Sequence, residues 1–328
     1  MKEINTREFD IIPTTWEITL ANRWDHFLAR LGFNRNGHRV LPGIYSLGSP
    51  GRESPVFVTA NYTLSFDALR PALNGIDCYV LVLDTKGVNV WCAAGKGTFG
   101  TDELVSRIHK TRLRSIVRHR TIILPQLSAT GVAAHEVKRQ SGFKVEYGPV
   151  RAIDLGEYMK THIANPEMRR VRFNLADRLV LIPVELVHLL LPALAVAVAL
   201  YYIDGWLISS AAFTAILTGV VLFPILLPFI PTKDFSSKGF LLGGTVALIY
   251  VIVYIFLNTD TSWWRQTSGI LVYILAIPPI TAFLALNFTG STPIASVTSV
   301  RKEIFRYIRW MAGLFGAGVV LFIISVVI

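Results

Sequence analysis

The chain has 328 residues, 52% of them hydrophobic and 16% charged, with a net charge of +10 and two cysteines. That length holds two domains, and two thiols exclude both a disulfide framework and a four-thiolate iron–sulfur cluster built from this chain alone. Charge gathers before residue 180 and the long apolar runs follow it, which predicts a soluble domain joined to a membrane domain and argues against nucleic acid as the reason for the basic excess.

The first thirty residues, MKEINTREFDIIPTTWEITLANRWDHFLAR, contain no apolar core of signal-peptide length, so no cleaved signal is expected. Residues 1–165 are accordingly placed in the cytoplasm as one domain, where Cys78 and Cys92 stay reduced. Within it, PVFVT (55–59) predicts a buried strand, SFDALRPAL (65–73) part of a helix and CYVLVLD (78–84) a second strand. TDELVSRIHKTRL (101–113) predicts a helix with Thr101 as its cap and Asp102 and Glu103 favourably placed in the first turn. The overlapping basic run RIHKTRLRSIVRHR (107–120) has no aromatic residue for base stacking. It reads as a solvated helix face and connection, with a phosphate, lipid or partner patch as the alternative. TIILP (121–125) is a third strand, GVAAHEVKRQSG (131–142) a helix that stops at Gly142, and KVEYGPV (144–150) a fourth strand. Strands alternating with helices predict a Rossmann-like parallel sheet covered on both faces. Ligands of such sheets bind beyond the carboxyl ends of the strands, here Thr59-Ala60-Asn61, residues 84–89, residues 125–131 and Gly148-Pro149.

Residues 166–178 form a basic linker containing Arg169, Arg170, Arg172 and Arg178. Beyond it, residues 179–202, 206–230, 239–257, 269–288 and 310–328 are each apolar enough and long enough to span a bilayer. This predicts an all-α transmembrane domain of five helices over residues 179–328, with Trp206, Trp263, Trp264 and Trp310 near the helix ends. Basic residues precede spans one, three and five, and the other two loops carry only Arg265. The positive-inside rule then sets a multi-pass protein of the cytoplasmic (inner) membrane, in contact with lipid, with the N-terminus inside and the C-terminus outside. Glu185 and His188 lie three apart near the start of the first span and share a helix face. Intramembrane ionisable groups suggest function by default, and pairing with each other or with Arg178 is the structural alternative. Pro278–Pro279 predicts a kink in span four, and AGLFGAG in span five predicts close helix packing.

The stretch NVWCAAGKGTFG (89–100) follows the second strand, at the ligand-binding edge. A helical turn there puts Cys92 and Lys96 on one face, and Ala93, Ala94, Gly95 and Gly97 add almost no bulk. Small neighbours leave room for a flat object against the helix or for backbone close to a polar ligand. A soft thiolate beside a flat cavity fits a metal held in a macrocycle. On spacing alone, a free Cys packed as a small hydrophobe in a helix–sheet contact and a redox or nucleophilic Cys both stay open. No Cys-x-x-Cys pair and no phosphate-binding Gly-x-x-x-x-Gly-Lys-[Ser/Thr] loop is present in the sequence.

The run Asn89, Val90, Trp91, Cys92, Ala93, Ala94, Gly95, Lys96 resembles the motif of the corrinoid-binding domain found in corrinoid iron–sulfur protein large subunits. It resembles still more the mercury-methylation corrinoid proteins, the HgcA family, in which that domain is fused to five membrane helices. LPQLSATGVAAHEV and VEYGPVRA are similar to other segments of the domain, so the resemblance covers roughly residues 45–165, and the apolar tail extends it. The Asp-x-His-x-x-Gly motif of the other large corrinoid family is missing, since Asp25 and His26 are adjacent.

The resemblance implies a cobalamin-type corrinoid cofactor, with Cys92 as the lower axial ligand of its cobalt and the only metal-ligating residue. It implies that Asn89 to Gly97 lie against the corrin ring, with Lys96 bonding a corrin amide or tuning the thiolate. Thr59, Asn61, Thr63, Ser65, Gly131, Val132, Gly148 and Pro149 would line the cofactor edge. It further implies a methyltransferase that passes a methyl group carried on cobalt to Hg(II), giving methylmercury. Electrons would come from a ferredoxin-like partner, HgcB, and the methyl group from methyltetrahydrofolate through a methyltransferase. The alternatives are a membrane-anchored corrinoid methyltransferase of one-carbon metabolism with another acceptor, and a membrane transporter carrying a corrinoid or metal sensor.

Overall fold

The structure, a computed structural model, describes residues 10–34, 37–292 and 297–327. It divides into two compact units, one made of residues up to Ala29 with Phe33–Val171, the other of Arg30–Gly32 with the residues from Arg172 onward.

The first unit contains, in chain order, β1 (Ile12–Thr14), α1 (Leu20–Arg30), β2 (Gly43–Leu47), β3 (Val56–Ala60), α2 (Thr63–Ala72), β4 (Cys78–Leu83) and α3 (Val90–Gly95). It continues with α4 (Thr101–Lys110), α5 (Leu113–Ile116), β5 (Thr121–Leu124), α6 (Ala134–Ser141), β6 (Lys144–Tyr147) and α7 (Leu155–Thr161). The strands form one sheet in the order β1-β2-β4-β3-β5-β6. Every residue of β3 and β4 is buried, as expected of apolar runs covered on both faces. Their side chains alternate between two cores. Val58, Ala60, Leu81 and Leu83 meet Val90, Ala93, Leu104 and Val137 from α3, α4 and α6. Phe57, Val80 and Val82 meet Phe66, Leu69, Leu155 and Tyr158 from α2 and α7.

The four strands expected from sequence pair in parallel. The sheet as a whole is not all parallel, because β2 runs antiparallel on β4, from Leu47 opposite Cys78 to Gly43 opposite Val82. β2 covers what would otherwise be an open, fully apolar edge of β4. β3 lies between β4 and β5, so the chain leaves β3 in one direction and later crosses back over it. The switch point lies beyond Ala60-Asn61 and Leu124-Pro125, the edge at which open α/β sheets take their ligands. Helix α4 departs from expectation at its start. Gly100 is the capping residue and offers no side chain, while the Thr101 hydroxyl accepts from the Ala133 amide (2.9 Å) and ties α4 to the segment before α6.

Among the described residues, the second unit has five helices long and apolar enough to cross a membrane: Leu175–Asp204, Trp206–Leu226, Phe235–Leu257, Trp263–Ser291 and Thr298–Val327. Each expected span lies largely within one of them, but the first and third start four residues earlier, at Leu175 and Phe235, and the fourth and fifth earlier still, at Trp263 and Thr298, because the flanking polar residues continue the helix. Trp310 therefore sits inside the fifth helix and not at its end. The fourth helix runs through Pro278 and Pro279 without interruption. A Cβ at Gly239 would stand 2.5 Å from Ala282 Cα, and one at Gly243 2.8 Å from Pro278 Cα, so helices three and four meet backbone to backbone. In AGLFGAG only Gly318 makes such an approach, 3.2 Å from the Ala276 amide nitrogen, whereas Gly313 and Gly316 face open space.

Arg178 does not pair with Glu185. It is buried and donates to the carbonyls of Pro224 (2.8 Å) and Ile225 (3.0 Å), near the end of the second helix. His188 Nδ1 meets the carbonyl of Val184 one turn earlier (2.6 Å).

Candidate functional site

The loop after β4 carries the residues that set the site. Asn61 follows β3 and is 1% exposed. Its Oδ1 accepts from the Thr85 amide (3.0 Å), the Thr85 hydroxyl (2.9 Å) and the Gly87 amide (3.0 Å). Its Nδ2 donates to Asp84 Oδ1 (3.2 Å). The single proton of the Thr85 hydroxyl is shared between Asn61 Oδ1 and the nearer Val88 carbonyl (2.7 Å). One amide side chain thus gathers the whole turn 84–88, which passes through positive φ at Lys86 (58°) and Gly87 (73°). Glu103 of α4 closes the outer side by accepting from the Asp84 amide (2.9 Å) while paired with Arg107 (2.6 Å).

That turn delivers the chain to α3, a helix of only six residues. So short a helix does not hold itself together. Asn89 caps it, with Oδ1 accepting from the Cys92 amide (2.9 Å). Val90, Ala93 and Ala94 face the core and are buried. Gly131 fits beneath, where a Cβ would stand 2.4 Å from the Phe99 carbonyl oxygen and 2.9 Å from Ala94 Cα. Trp91 and Cys92 are partly exposed, and Gly95, Lys96 and Gly97 are exposed. Nothing lies within 4 Å of a Cβ placed on Gly95 or Gly97, and Gly97 holds φ +79° just past the helix end.

The alternative of Cys92 as a packed small hydrophobe does not describe this arrangement. Ala93 and Ala94 make the tight contact, and Cys92 stands on the other side. The packed thiol is Cys78, which is 0% exposed in β4 and which burial, with the Asp77 carboxylate beside it, pushes up to about 12. Among the described residues no group of three or more His, Cys, Asp or Glu side chains is placed to hold a metal ion. A single thiol does not cage a bare ion, so a metal at Cys92 would arrive with its own ligand frame. Cobalt in a flat macrocycle needs one soft donor on an uncrowded face. A half-exposed thiol one turn from a glycine that fronts open space fits that need.

The remaining predicted residues divide by location. Thr59 is buried within β3. Thr63 opens α2 with its amide on the His38 carbonyl (3.1 Å), and Ser65 lies partly exposed in the same first turn. Val132 is buried in the core shared with α3, and its carbonyl accepts from the Tyr147 hydroxyl (2.6 Å). Gly148 is buried with its amide on the Leu124 carbonyl (2.8 Å), and the Pro149 carbonyl accepts from Gln126 (3.4 Å). The structure therefore brings Asn61, Asn89, Gly131 and Val132 together as the frame of α3, while Cys92, Gly95, Lys96 and Gly97 form its outer side. Sequence reasoning missed Tyr147, named Thr101 only as a helix cap, and included Thr85 only within the edge 84–89. The turn Asp84-Thr85-Lys86-Gly87 directly after a strand was the available signal for Thr85.

Residues 34–159 match the family model of the CO dehydrogenase/acetyl-CoA synthase delta subunit. The similarity to that family is confined to the α/β unit. Curated relatives include the acetyl-CoA decarbonylase/synthase complex subunit gamma of Methanopyrus kandleri, 31% identical over 128 residues, 38% of this chain and 27% of that protein. The subunit of the same name from Archaeoglobus fulgidus is 32% identical over 114 residues, 34% of this chain and 24% of that protein. The chain thus spans about a quarter of the length of these relatives. The matched segment holds all the site residues above, and the five apolar helices lie outside it.

Proposed function

We propose that this chain is a membrane-anchored corrinoid methyl-transfer protein in which Cys92 is the lower axial ligand of cobalt and Hg(II) is the methyl acceptor. The observation that carries the reading is the presentation of Cys92: a capped, core-anchored turn at the carboxyl edge of the sheet, with glycines leaving open space beside the thiol. A bound corrinoid would supply the cobalt that carries the methyl group, and Cys92 as its thiolate donor would add electron density favouring release to a soft cation as a carbanion equivalent or a radical. The chain's own residues hold that donor in place. Asn89 fixes the Cys92 amide, Ala93 and Ala94 seat α3 against Gly131, and Asn61 fixes the turn before it. Lys96, exposed at the helix end, is suited to an amide of the ring edge.

Two cysteines supply no iron–sulfur cluster, so low-potential electrons would come from a ferredoxin-like partner such as HgcB, and the methyl group from methyltetrahydrofolate through a separate methyltransferase. Mercury as acceptor rests on the likeness of the Asn89–Lys96 run to mercury-methylation proteins and on the five apolar helices. The positive-inside pattern supports a cytoplasmic α/β domain over residues 1–165, the linker 166–178 and an outside C-terminus. A second reading has support of its own: the relatives are named as subunits of an acetyl-CoA-forming and -cleaving complex, so the acceptor would belong to one-carbon metabolism.

The test supplies anaerobic membranes containing the full chain with the reduced ferredoxin-like protein, a methyl donor and Hg(II), and measures methylmercury, bound cobalt and the visible spectrum. Wild type is expected to bind cobalt and form methylmercury, and Cys92→Ala to lose the product with a changed spectrum. Cobalt-loaded wild type without product moves the assignment to the second reading. Wild type without any corrinoid sinks both.

A further inference from the structure

Helix α1 wears its amphipathic pattern inside out. It is well formed, since the Thr19 hydroxyl accepts from the Asn22 amide (3.2 Å) and Asn22 Oδ1 accepts from the Thr19 amide (3.0 Å), a reciprocal cap. Yet it buries no residue. Its grip on the rest of the α/β unit is polar. His26 Nε2 donates to Asp67 Oδ2 of α2 (2.7 Å), and that carboxylate is also forked by Arg70 (2.6 Å). Asp25 Oδ1 bonds the ring of His38 (2.7 Å). Asp67 and His38 are themselves buried, 4% and 5% exposed. The opposite side is apolar and bare: Leu20 is 83% exposed, Trp24 61% and Phe27 51%. With 3.6 residues per turn these three stand in one stripe and Asp25 and His26 on the far side. The rings of Trp24 and Phe27 stack at 5.4 Å, which makes the stripe continuous.

A helix that faces water turns its polar side outward. This one turns out an aromatic stripe, bordered on one side by the exposed Arg23 and Arg30. Apolar and aromatic residues beside arginines on a short amphipathic helix match the interface of a bilayer with an anionic surface. The same chain carries five helices able to cross a membrane, so such a surface is always within reach.

We infer that α1 is an interfacial helix whose Leu20–Trp24–Phe27 stripe seats in the headgroup region of the bilayer crossed by the chain's own spans. The inference rests on reading those helices as spans, and Arg23 and Arg30 meet the anionic lipid beside the stripe.

The test uses the full chain reconstituted in vesicles of phosphatidylethanolamine and phosphatidylglycerol. Leu20→Cys, Trp24→Cys and Phe27→Cys are made separately in a Cys92→Ala background, where the remaining Cys78 is buried, and each is spin-labelled. Glu53→Cys, on an exposed loop, is the water reference. Alkaline extraction first establishes that the protein stays in the vesicles. Release into solution refutes the span reading and the inference with it. In retained protein, collision with oxygen relative to a water-soluble nickel chelate is expected to be several-fold higher at all three stripe positions than at Glu53. Equal ratios mean that the stripe faces water, and low collision with both reagents means that protein covers it. Either result overturns the inference while leaving the spans intact.

Discussion

Removal of the Asn61 side chain tests the claim that one amide holds the turn leading to Cys92. In Asn61→Ala the backbone N–H of Gly87 loses its acceptor, while that of Thr85 loses one of two and keeps the Leu83 carbonyl (3.1 Å). Both residues are buried, Thr85 at 0% exposure. The Thr85 hydroxyl keeps its bond to the Val88 carbonyl, so it adds little to the loss. A buried donor left unpaired costs about 1–3 kcal/mol, and one such donor, that of Gly87, sets the local destabilisation at about 1–3 kcal/mol. Since 1.4 kcal/mol is a factor of ten, amide exchange across residues 84–88 should quicken by roughly 5-fold to 100-fold through local opening. The assay is hydrogen–deuterium exchange by mass spectrometry on the full chain in lipid nanodiscs. Peptides from β6, on the far side of β5, serve as the internal control. Asn61→Asp keeps an acceptor but sets a carboxylate beside that of Asp84, so it should fall between wild type and alanine. Unchanged exchange at 84–88 in the alanine variant would refute the reasoning, because it would mean that other contacts hold the turn.

Gly131→Ala drives a methyl group to 2.4 Å from the Phe99 carbonyl oxygen. It should cost about 1–3 kcal/mol and displace α3, read as a lower melting temperature in near-ultraviolet circular dichroism, and an unchanged melt would argue against the close approach. Alkylation by iodoacetamide at pH 8 should modify Cys92 and spare Cys78, whose thiol, pushed up to about 12, is ionised to roughly one part in ten thousand at that pH. Mass spectrometry of the native protein decides it, and a modified Cys78 would contradict the packing of β4. Burial alone would lower the pKa of His38, but its bonds to the Phe33 carbonyl and the Asp25 carboxylate hold it above the usual value. A raised folded-state pKa stabilises at low pH: the contribution is complete below the unfolded value of ~6.5 and lost as pH rises through the folded value. Thermal melts should therefore show wild type losing more stability than His38→Gln above that range, and parallel pH profiles would disprove it.

The central strands were legible because β3 and β4 are covered on both faces and so read as unbroken apolar runs. β1 and β2 were not. Ile12-Pro13-Thr14 is three residues with a proline, tolerable only at an edge, and Gly43–Leu47 owes its strand state to the bare edge of β4. Helix α1 escaped notice for the opposite reason, since its apolar stripe does not face a core. At the site, the spacing from Asn89 to Lys96 was enough to place Cys92 and Lys96 on one side of a turn. It was not enough to tell a residue facing the ligand edge from one framing it. Asn61 and Gly131 stand at strand ends, as sequence reasoning said, but their direction is set by partners more than twenty residues away in the chain. Arg178 illustrates the same limit: proximity along one helix suggested Glu185, and the carbonyls of another helix hold it instead.

The place of β5 beside β3 has a consequence in time. Phe57 pairs with Ile123, and Cys92 lies within the long loop that this pairing closes. β3, β4 and α3 leave the ribosome first, but Gly131, on which α3 rests, follows β5. Closing a long loop costs entropy before its contacts repay it, so pairings of this kind are slow. The thiol is therefore synthesised well before its seat is complete, and the nascent chain passes through an interval in which α3 has β3, β4 and its cap but not Gly131 beneath it.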